Sequence, residues 1–350
     1  MRPFVVGLVL AGCAASPSQP VGLDPGEGGD IPPTSGGKAD GPGDGSSNPG
    51  VPDVRCDGVP DAGPAGDFHH FSSSVISALG DPRHRGFDLV APASADPQSI
   101  EGWLSYTIAD KALEDEDVDL FACRDGAWQP IGTARSDDEG HFALQLSGDA
   151  RMPIGMRDMY ASVVGDRTGT EFLAYVAPDG TPLIVSDVDG TLTSSENAFF
   201  ETIALGLEPD QQPGASDAYS DAATRGYQLV YVTARGNQYT DDTRQWLVDQ
   251  GFPRGPVRLA DSFLTLPGAD TIDYKTSTIT ALGDGLTIAA GVGNRDSDIT
   301  AYTNSGVEAD HIFIKLPEYQ GECQADLDAG KAIGFDAYAD LESSVIDSLP

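Results

Sequence analysis

Positive charge is what this chain lacks most. It carries 20 Lys and Arg against 55 Asp and Glu in 350 residues, a formal net charge of −35. No basic stripe is available to offset phosphate repulsion, which excludes nucleic acid as a partner. An anionic ligand has to be drawn in by a few local cations or a metal rather than by the field of the whole protein. The apolar run that opens the chain is too short to span a bilayer. Cysteine is scarce, with 4 residues, and their spacing matches no zinc pattern. Hydrophobic residues make up 39%, enough for packed cores, and the length accommodates two ordinary domains plus tails.

The first residues, "MRPFVVGLVLAGC", read as a targeting segment. Small residues directly before Cys13 resemble a bacterial lipoprotein signal, cleaved before Cys13 and lipidated on it (residues 1–13). An ordinary secretory signal with an incidental cysteine is the alternative. Either implies export, and the first implies a lipid anchor holding the protein on the periplasmic or cell-surface side of a membrane. Cys56, Cys123 and Cys323 then remain. In an oxidising compartment three cysteines predict one disulfide and one leftover thiol, with the pairing open.

Residues 14–65 are rich in Gly, Pro, Asp and Ser, as in "GGKADGPGDGSSNPG". With almost nothing to bury, this stretch is expected to be a disordered tether, reaching roughly 40 Å as a flexible coil of ~50 residues. From 66 to 180 short runs alternate in polarity, among them "GWLSYTI", "VDLFAC", "HFALQL" and "EFLAYVA", separated by turn clusters such as "RDG" and "SDDEG". This spacing predicts a small antiparallel β-sandwich, immunoglobulin- or transthyretin-like. No catalytic constellation is visible there. His69 and His70, being adjacent, would face opposite ways on a strand and are expected to be solvated.

From 181 to 350 apolar runs alternate with helical stretches: "PLIVSD", "YQLVYVTA", "PVRLA", "LTIAAGV" and "HIFIKL" against "TDDTRQWLVDQG", "YKTSTITALG" and "DSDITAYTNSG". The pattern predicts an α/β domain, a parallel sheet with helices on both faces. "LIVSDVDGTLTSSE" aims Asp187 and Asp189 at one point. As a calcium loop starting at Asp187 it would need Gly at the sixth position and Glu at the twelfth, where Leu192 and Ala198 stand. A phosphatase needs more, in a fixed order: a nucleophilic Asp at a strand end, a second Asp two residues on, a hydroxyl ending another strand, a lysine on a helix, and a later loop with an acidic metal ligand. Thr233 ends "LVYVT", Lys275 begins "KTSTITAL", and "GNRDSD" supplies Asn294 and Asp298. All cluster at strand C-termini, where open α/β sheets bind ligands. Each part has a plainer reading: a solvated turn for the aspartates, a surface charge for Arg235, a solvent-facing helix lysine, a capping turn for "GNRDSD". Their joint occurrence in order favours the site.

Residues 181 to about 318 resemble the haloacid dehalogenase superfamily. More narrowly, "SDVDGTLT", "YVTAR", "GFPRGPVRL", "YKTSTITAL" and "GVGNRDSDITAYTNSGV" resemble the lipin-type (lipin/Ned/Smp) domain of phosphatidate phosphatases, found also at the C-terminus of some phosphatidylinositol-transfer proteins. The resemblance implies Mg²⁺-dependent hydrolysis of a phosphomonoester, phosphatidate or a related lipid phosphate, through an aspartyl-phosphate. Asp187 would be the nucleophile and Asp189 the general acid and base. Asp187, the main-chain carbonyl of Asp189, Asn294 and Asp298 would hold the metal. Thr233, Arg235 and Lys275 would hold the phosphoryl group, and Thr191 would pin the turn. Asp296 has no assigned role. A non-catalytic phosphatidate-binding lipoprotein and a phosphatase of a small soluble phosphoester are the alternatives.

Overall fold

A computed structural model describes residues 48–196, 209–261 and 268–346. Cys13, residues 14–47 of the expected tether, and Ala198 lie outside the described residues.

The sandwich forms as the alternating pattern predicts. One sheet runs Leu89–Pro92, Gly169–Ala177, Gly155–Val163, Asp117–Arg124, Ala127–Arg135. The facing sheet pairs Arg85–Phe87, Gln98–Trp103 and His141–Leu146 antiparallel. Along Gln98–Trp103 every second side chain is buried, the period of a strand with one face on a core. Ile100, Leu120, Phe142, Met159 and Phe172 fill the space between the sheets. Leaving water contributes roughly 1.5–3 kcal/mol for each such side chain.

Residues 48–65 depart from the expected tether. Asn48 and Val51 are buried, and Asp53–Val54 pairs in parallel with Met156 and Arg157. Cys56 is joined to Cys123 with the Cα atoms 5.7 Å apart, and Trp128 donates its indole N–H to the Gly58 carbonyl at 2.9 Å. Glycine- and proline-rich composition speaks to the absence of a core; it does not reveal that a few anchor points fasten such a segment to a neighbouring sheet. Among the described residues Cys323 is a free, buried thiol. His69 and His70 sit not on a strand but at the start of a helix, Phe71–Leu79. Both imidazoles are partly exposed and pair with carboxylates, His69 with Asp117 at 2.8 Å and His70 with Asp115 at 2.9 Å.

The second domain is a six-stranded parallel sheet. Its strands are β1 (Pro182–Ser186), β2 (Gln228–Gly236), β3 (Val257–Ala260), β4 (Thr287–Gly293), β5 (Ile312–Lys315) and β6 (Ile333–Phe335). They lie in the order β3-β2-β1-β4-β5-β6. Helices α1 (Ala215–Thr224) and α2 (Thr240–Asp249) cover one face, and α3 (Ala269–Leu282) and α4 (Asp296–Asn304) the other. Burial on both faces explains why the strands read as continuous apolar runs: Ile184 of β1 enters the first core and Leu183 and Val185 the second.

The two domains share material instead of being joined by a linker. In Gly169–Ala177, Phe172, Ala174 and Val176 face the sandwich core, while Leu173, Tyr175 and Ala177 join the core under α3 and α4. Asp88 accepts the main-chain N–H groups of Leu173 and Val257, each at 2.7 Å, and both Nη groups of Arg244 at 3.0 and 3.1 Å. Arg254 pairs with Asp53 and Asp158.

Candidate active site

The sheet order places β1 between β2 and β4, so its C-terminal end opens at the centre of the sheet. Asp187 continues β1 by donating its N–H to the Val292 carbonyl at 2.9 Å. Tyr302 of α4 donates its hydroxyl to the carbonyls of Val185 and Val292, at 2.9 and 3.0 Å, and so fastens β1 to β4 just below the site. Gly190, at φ 69°, turns the chain back; this left-handed region favours glycine. Its N–H is received by the Thr193 hydroxyl at 2.8 Å. Thr191 donates its hydroxyl to Asp187 Oδ2 at 3.0 Å.

Lys275 arrives from α3, whose buried face carries Thr271, Lys275, Ile279 and Leu282. The helix begins at Ala269, earlier than the sequence suggests, so Lys275 lies on the core-facing stripe of its second turn instead of at its start. Its Nζ bridges Asp187 Oδ1 at 2.7 Å and Asp298 Oδ1 at 2.6 Å. Asp298 Oδ2 accepts the N–H groups of Asn294 and Arg295 at 3.0 and 3.1 Å. Asp298 thus links the Asn294 loop to Lys275. Gly293 leaves room for it: a Cβ there would lie 2.5 Å from that of Asp298.

Asp189 has different company. Thr233, near the C-terminal end of β2, donates its hydroxyl to Asp189 Oδ2 at 3.0 Å. Arg235 Nε and Nη2 reach both carboxylate oxygens at 2.6–3.1 Å, and its Nη1 donates to Thr243 at 2.9 Å. Arg235 was expected to hold phosphate. Its donors instead fix Asp189, because a planar guanidinium fits a carboxylate in a two-pronged pair. Asp296 lies at the first turn of α4 and faces Glu322, away from this cluster.

One residue of the site was missed. Glu196, at the end of the "DVDGTLTSSE" stretch, accepts the Asn294 side-chain N–H at 3.0 Å. The sequence signal was a carboxylate following closely on the paired aspartates. Thr191, Thr233, Arg235, Lys275, Asn294 and Asp298 all assemble with Asp187 and Asp189.

Charge in this cluster does not balance. Asp187, Asp189, Glu196 and Asp298 face Lys275 and Arg235. Burial pushes the Asp187 carboxyl up to about 8; Lys275 opposes the shift, and Asp298, Glu196 and Asp189 add to it. Burial likewise pushes Glu196 up to about 6, against the Asn294 hydrogen bond. For Lys275 burial favours the neutral amine, but Asp187 and Asp298 outweigh it and its pKa rises.

Among the described residues no group of three or more His, Cys, Asp or Glu side chains is arranged to hold a metal ion. A mixed set of hard oxygens is present, however. Asn294 is 1% exposed and its Oδ1 has no hydrogen-bond partner. Leaving such an acceptor unsatisfied costs about 1–3 kcal/mol, and an amide oxygen is a hard ligand of the kind divalent cations such as Mg²⁺ accept.

Two family models match the chain: "PITM 1-3, LNS2 domain" over residues 184–315 and "PITM 1-3, beta-sandwich domain" over residues 82–176. The LNS2 match falls on the domain built around the six-stranded parallel sheet. Protein retinal degeneration B of Drosophila melanogaster is 27% identical over 262 residues, covering 73% of this chain and 20% of that protein. Membrane-associated phosphatidylinositol transfer protein 3 of Mus musculus is 26% identical over 248 residues, covering 69% of this chain and 24% of the other. The chain therefore spans only about a fifth to a quarter of these relatives' length. Among solved structures, D,D-heptose 1.7-bisphosphate phosphatase from B. bronchiseptica, complexed with magnesium and phosphate, matches at 15% identity and TM-score 0.35, over 47% of this chain and 98% of that one. The Class C acid phosphatase from Bacillus anthracis matches at 17% identity and TM-score 0.31, over 49% and 80%.

Proposed function

We propose that this protein is a Mg²⁺-dependent phosphatase that hydrolyses a lipid phosphomonoester, phosphatidate or a close relative, through an aspartyl-phosphate. One observation carries the reading: the two aspartates of a single turn are assigned to separate cations, Asp187 to Lys275 and Asp189 to Arg235. A turn that only needed solvation would not set a buried and a half-buried carboxylate side by side, one paired with a lysine and the other with an arginine.

Asp187, the main-chain carbonyl of Asp189 and Asn294 Oδ1 would hold the metal, with Asp298 bracing them. Bound there, Mg²⁺ supplies the positive charge that lets a carboxylate approach a phosphate dianion. The chain's residues do the rest. An Asp187 oxygen attacks phosphorus in line with the leaving oxygen, forming the acyl phosphate as the ester P–O bond breaks. Lys275 and Thr233 hold phosphoryl oxygens. Asp189 gives a proton to the leaving alkoxide and later takes one from the water that frees phosphate and restores Asp187. To do so it exchanges Arg235 for the leaving oxygen, while Thr243 keeps the guanidinium in place.

The lipid substrate is supported by names among the relatives, those of membrane-associated phosphatidylinositol transfer proteins. Those names also favour the second reading, a phosphatidate-binding module without turnover. Assays on dispersed phosphatidate and on soluble phosphomonoesters, with Mg²⁺ and with a chelator, separate the readings. No release of phosphate from any substrate would leave the binding module. Release from soluble esters alone would remove the lipid. Export as a lipoprotein anchored at Cys13 belongs to the same proposal; the Cys56–Cys123 disulfide supports an oxidising compartment. Metabolic labelling with a fatty acid, lost in Cys13→Ser, is the expected result.

A further inference from the structure

We propose that Glu196 is a positioning residue that sets which way the Asn294 carboxamide faces, and so directs Asn294 Oδ1 into the site. The inference rests on the metal-assisted reading above.

An asparagine side chain has a donor end and an acceptor end of nearly equal shape, so only its neighbours decide its orientation. An ionised carboxylate can only accept. Glu196 Oε2 lies 3.0 Å from Asn294 Nδ2. Rotating the amide by half a turn would set Oδ1 against a carboxylate oxygen, acceptor against acceptor. With Nδ2 held by Glu196, Oδ1 points elsewhere, and it is buried without a partner. A polar atom in that state is costly unless a ligand uses it.

Two further features fit this role. The Asn294 amide packs directly on the Asp187 turn: a Cβ at Gly190 would lie 2.1 Å from Asn294 Nδ2 and 3.0 Å from Glu196 Oε2. Glycine there is demanded by this approach as well as by the backbone. Glu196 is itself held. Its N–H is donated to the Glu318 carboxylate at 3.2–3.3 Å, and Arg295 Nη1 lies 3.5 Å from its Oε1. Arg295 is fixed in turn by Glu322 at 2.9 Å and by stacking over Tyr319 at 4.3 Å. Partners that orient a ligand from behind are worth about 10–100-fold in metal affinity.

The test is calorimetric titration of the full chain with Mg²⁺, beside melting curves in chelator. Glu196→Ala, and Glu196→Met, which keeps the volume but has no acceptor, are expected to weaken Mg²⁺ binding about tenfold or more. Their chelated melting temperatures should stay close to the unaltered protein's. Glu196→Gln still offers Asn294 an acceptor oxygen, although its amide can also present a donor; it is expected to weaken Mg²⁺ binding less than Glu196→Ala or Glu196→Met, a partial rescue that a purely electrostatic role would not allow. Equal weakening in Gln, Ala and Met would show that charge and not orientation matters, and would overturn the inference. So would unchanged affinity in Met, or no Mg²⁺ binding by the unaltered protein. Mg²⁺ binding with the expected series but no turnover would support the inference while sinking the phosphatase reading.

Discussion

Asp88, at the junction of the two domains, and Asp187, at the end of β1, are both nearly inaccessible carboxylates, 1% and 4% exposed. Around Asp88 two main-chain N–H groups and a two-pronged Arg244 occupy both oxygens. Around Asp187 one ammonium is shared with Asp298, and three further carboxylates raise its pKa together with burial. The same side chain, equally buried, serves as a fastener where its charge is matched and, under the proposed mechanism, as a reactive group where it is not. A matched buried ion pair holds elements in register; a cluster with excess charge of one sign stays poised for a cation or a proton.

The sharpest way to break this comparison is to neutralise each carboxylate in turn. Asp187→Asn is expected to lower turnover by about 10⁴-fold or more, with the chelated melting temperature not lowered, because the charge removed was crowded. A rate measurement beside a melt checks both halves; substantial residual turnover would rule out Asp187 as nucleophile. Asp88→Asn should do the reverse. It leaves Arg244 buried without its charge partner, which costs about 3–5 kcal/mol and lowers the melting temperature by roughly 10 °C. Folded protein should retain most of its activity per molecule, as circular dichroism melts and rates at low temperature would show.

Cys123→Ser asks whether fastening and chemistry are separable along the N-terminal strip. Opening a loop of 67 residues is expected to cost about 2–4 kcal/mol and to leave kcat unchanged. A fall in kcat would tie the strip to the site.

The smallest effect is on pH dependence. The Asp187 pKa is raised in the folded chain to about 8 from 3.8. The folded protein therefore holds this proton where the unfolded chain has lost it, and the stability from it is complete below about 4 and disappears as pH rises through 8. Chelated melting temperatures between pH 5 and 8 should fall with pH in the unaltered protein and fall less in Asp187→Asn. Parallel curves would show that Asp187 is no more crowded than Asp88.

Much of the site was legible because its residues obey local rules. Asp187, Asp189 and Thr191 share one turn, Thr233 and Asn294 end strands, and the strand period and apolar runs announce both domains. Lys275 was legible as a residue but not as a buried one, since its orientation depends on where α3 begins. Glu196 was overlooked because its part is played through Asn294, distant in sequence. Arg235 was legible as a cation close to the paired aspartates, but only the fold shows it joined to Asp189.

By itself, the sequence determined the order of the elements, the two domain types, the excess of acid and which polar residues stand at the strand ends, since these depend on periodicity and on side-chain type. Tertiary structure alone decided the rest: Cys56 with Cys123, the fastening of residues 48–65, the clasp at Asp88, and which cation faces which aspartate. Those are contacts between segments far apart in the chain. A hydrogen bond or an ion pair depends on distances of about 3 Å, and only packing the helices and the sandwich against the parallel sheet sets them.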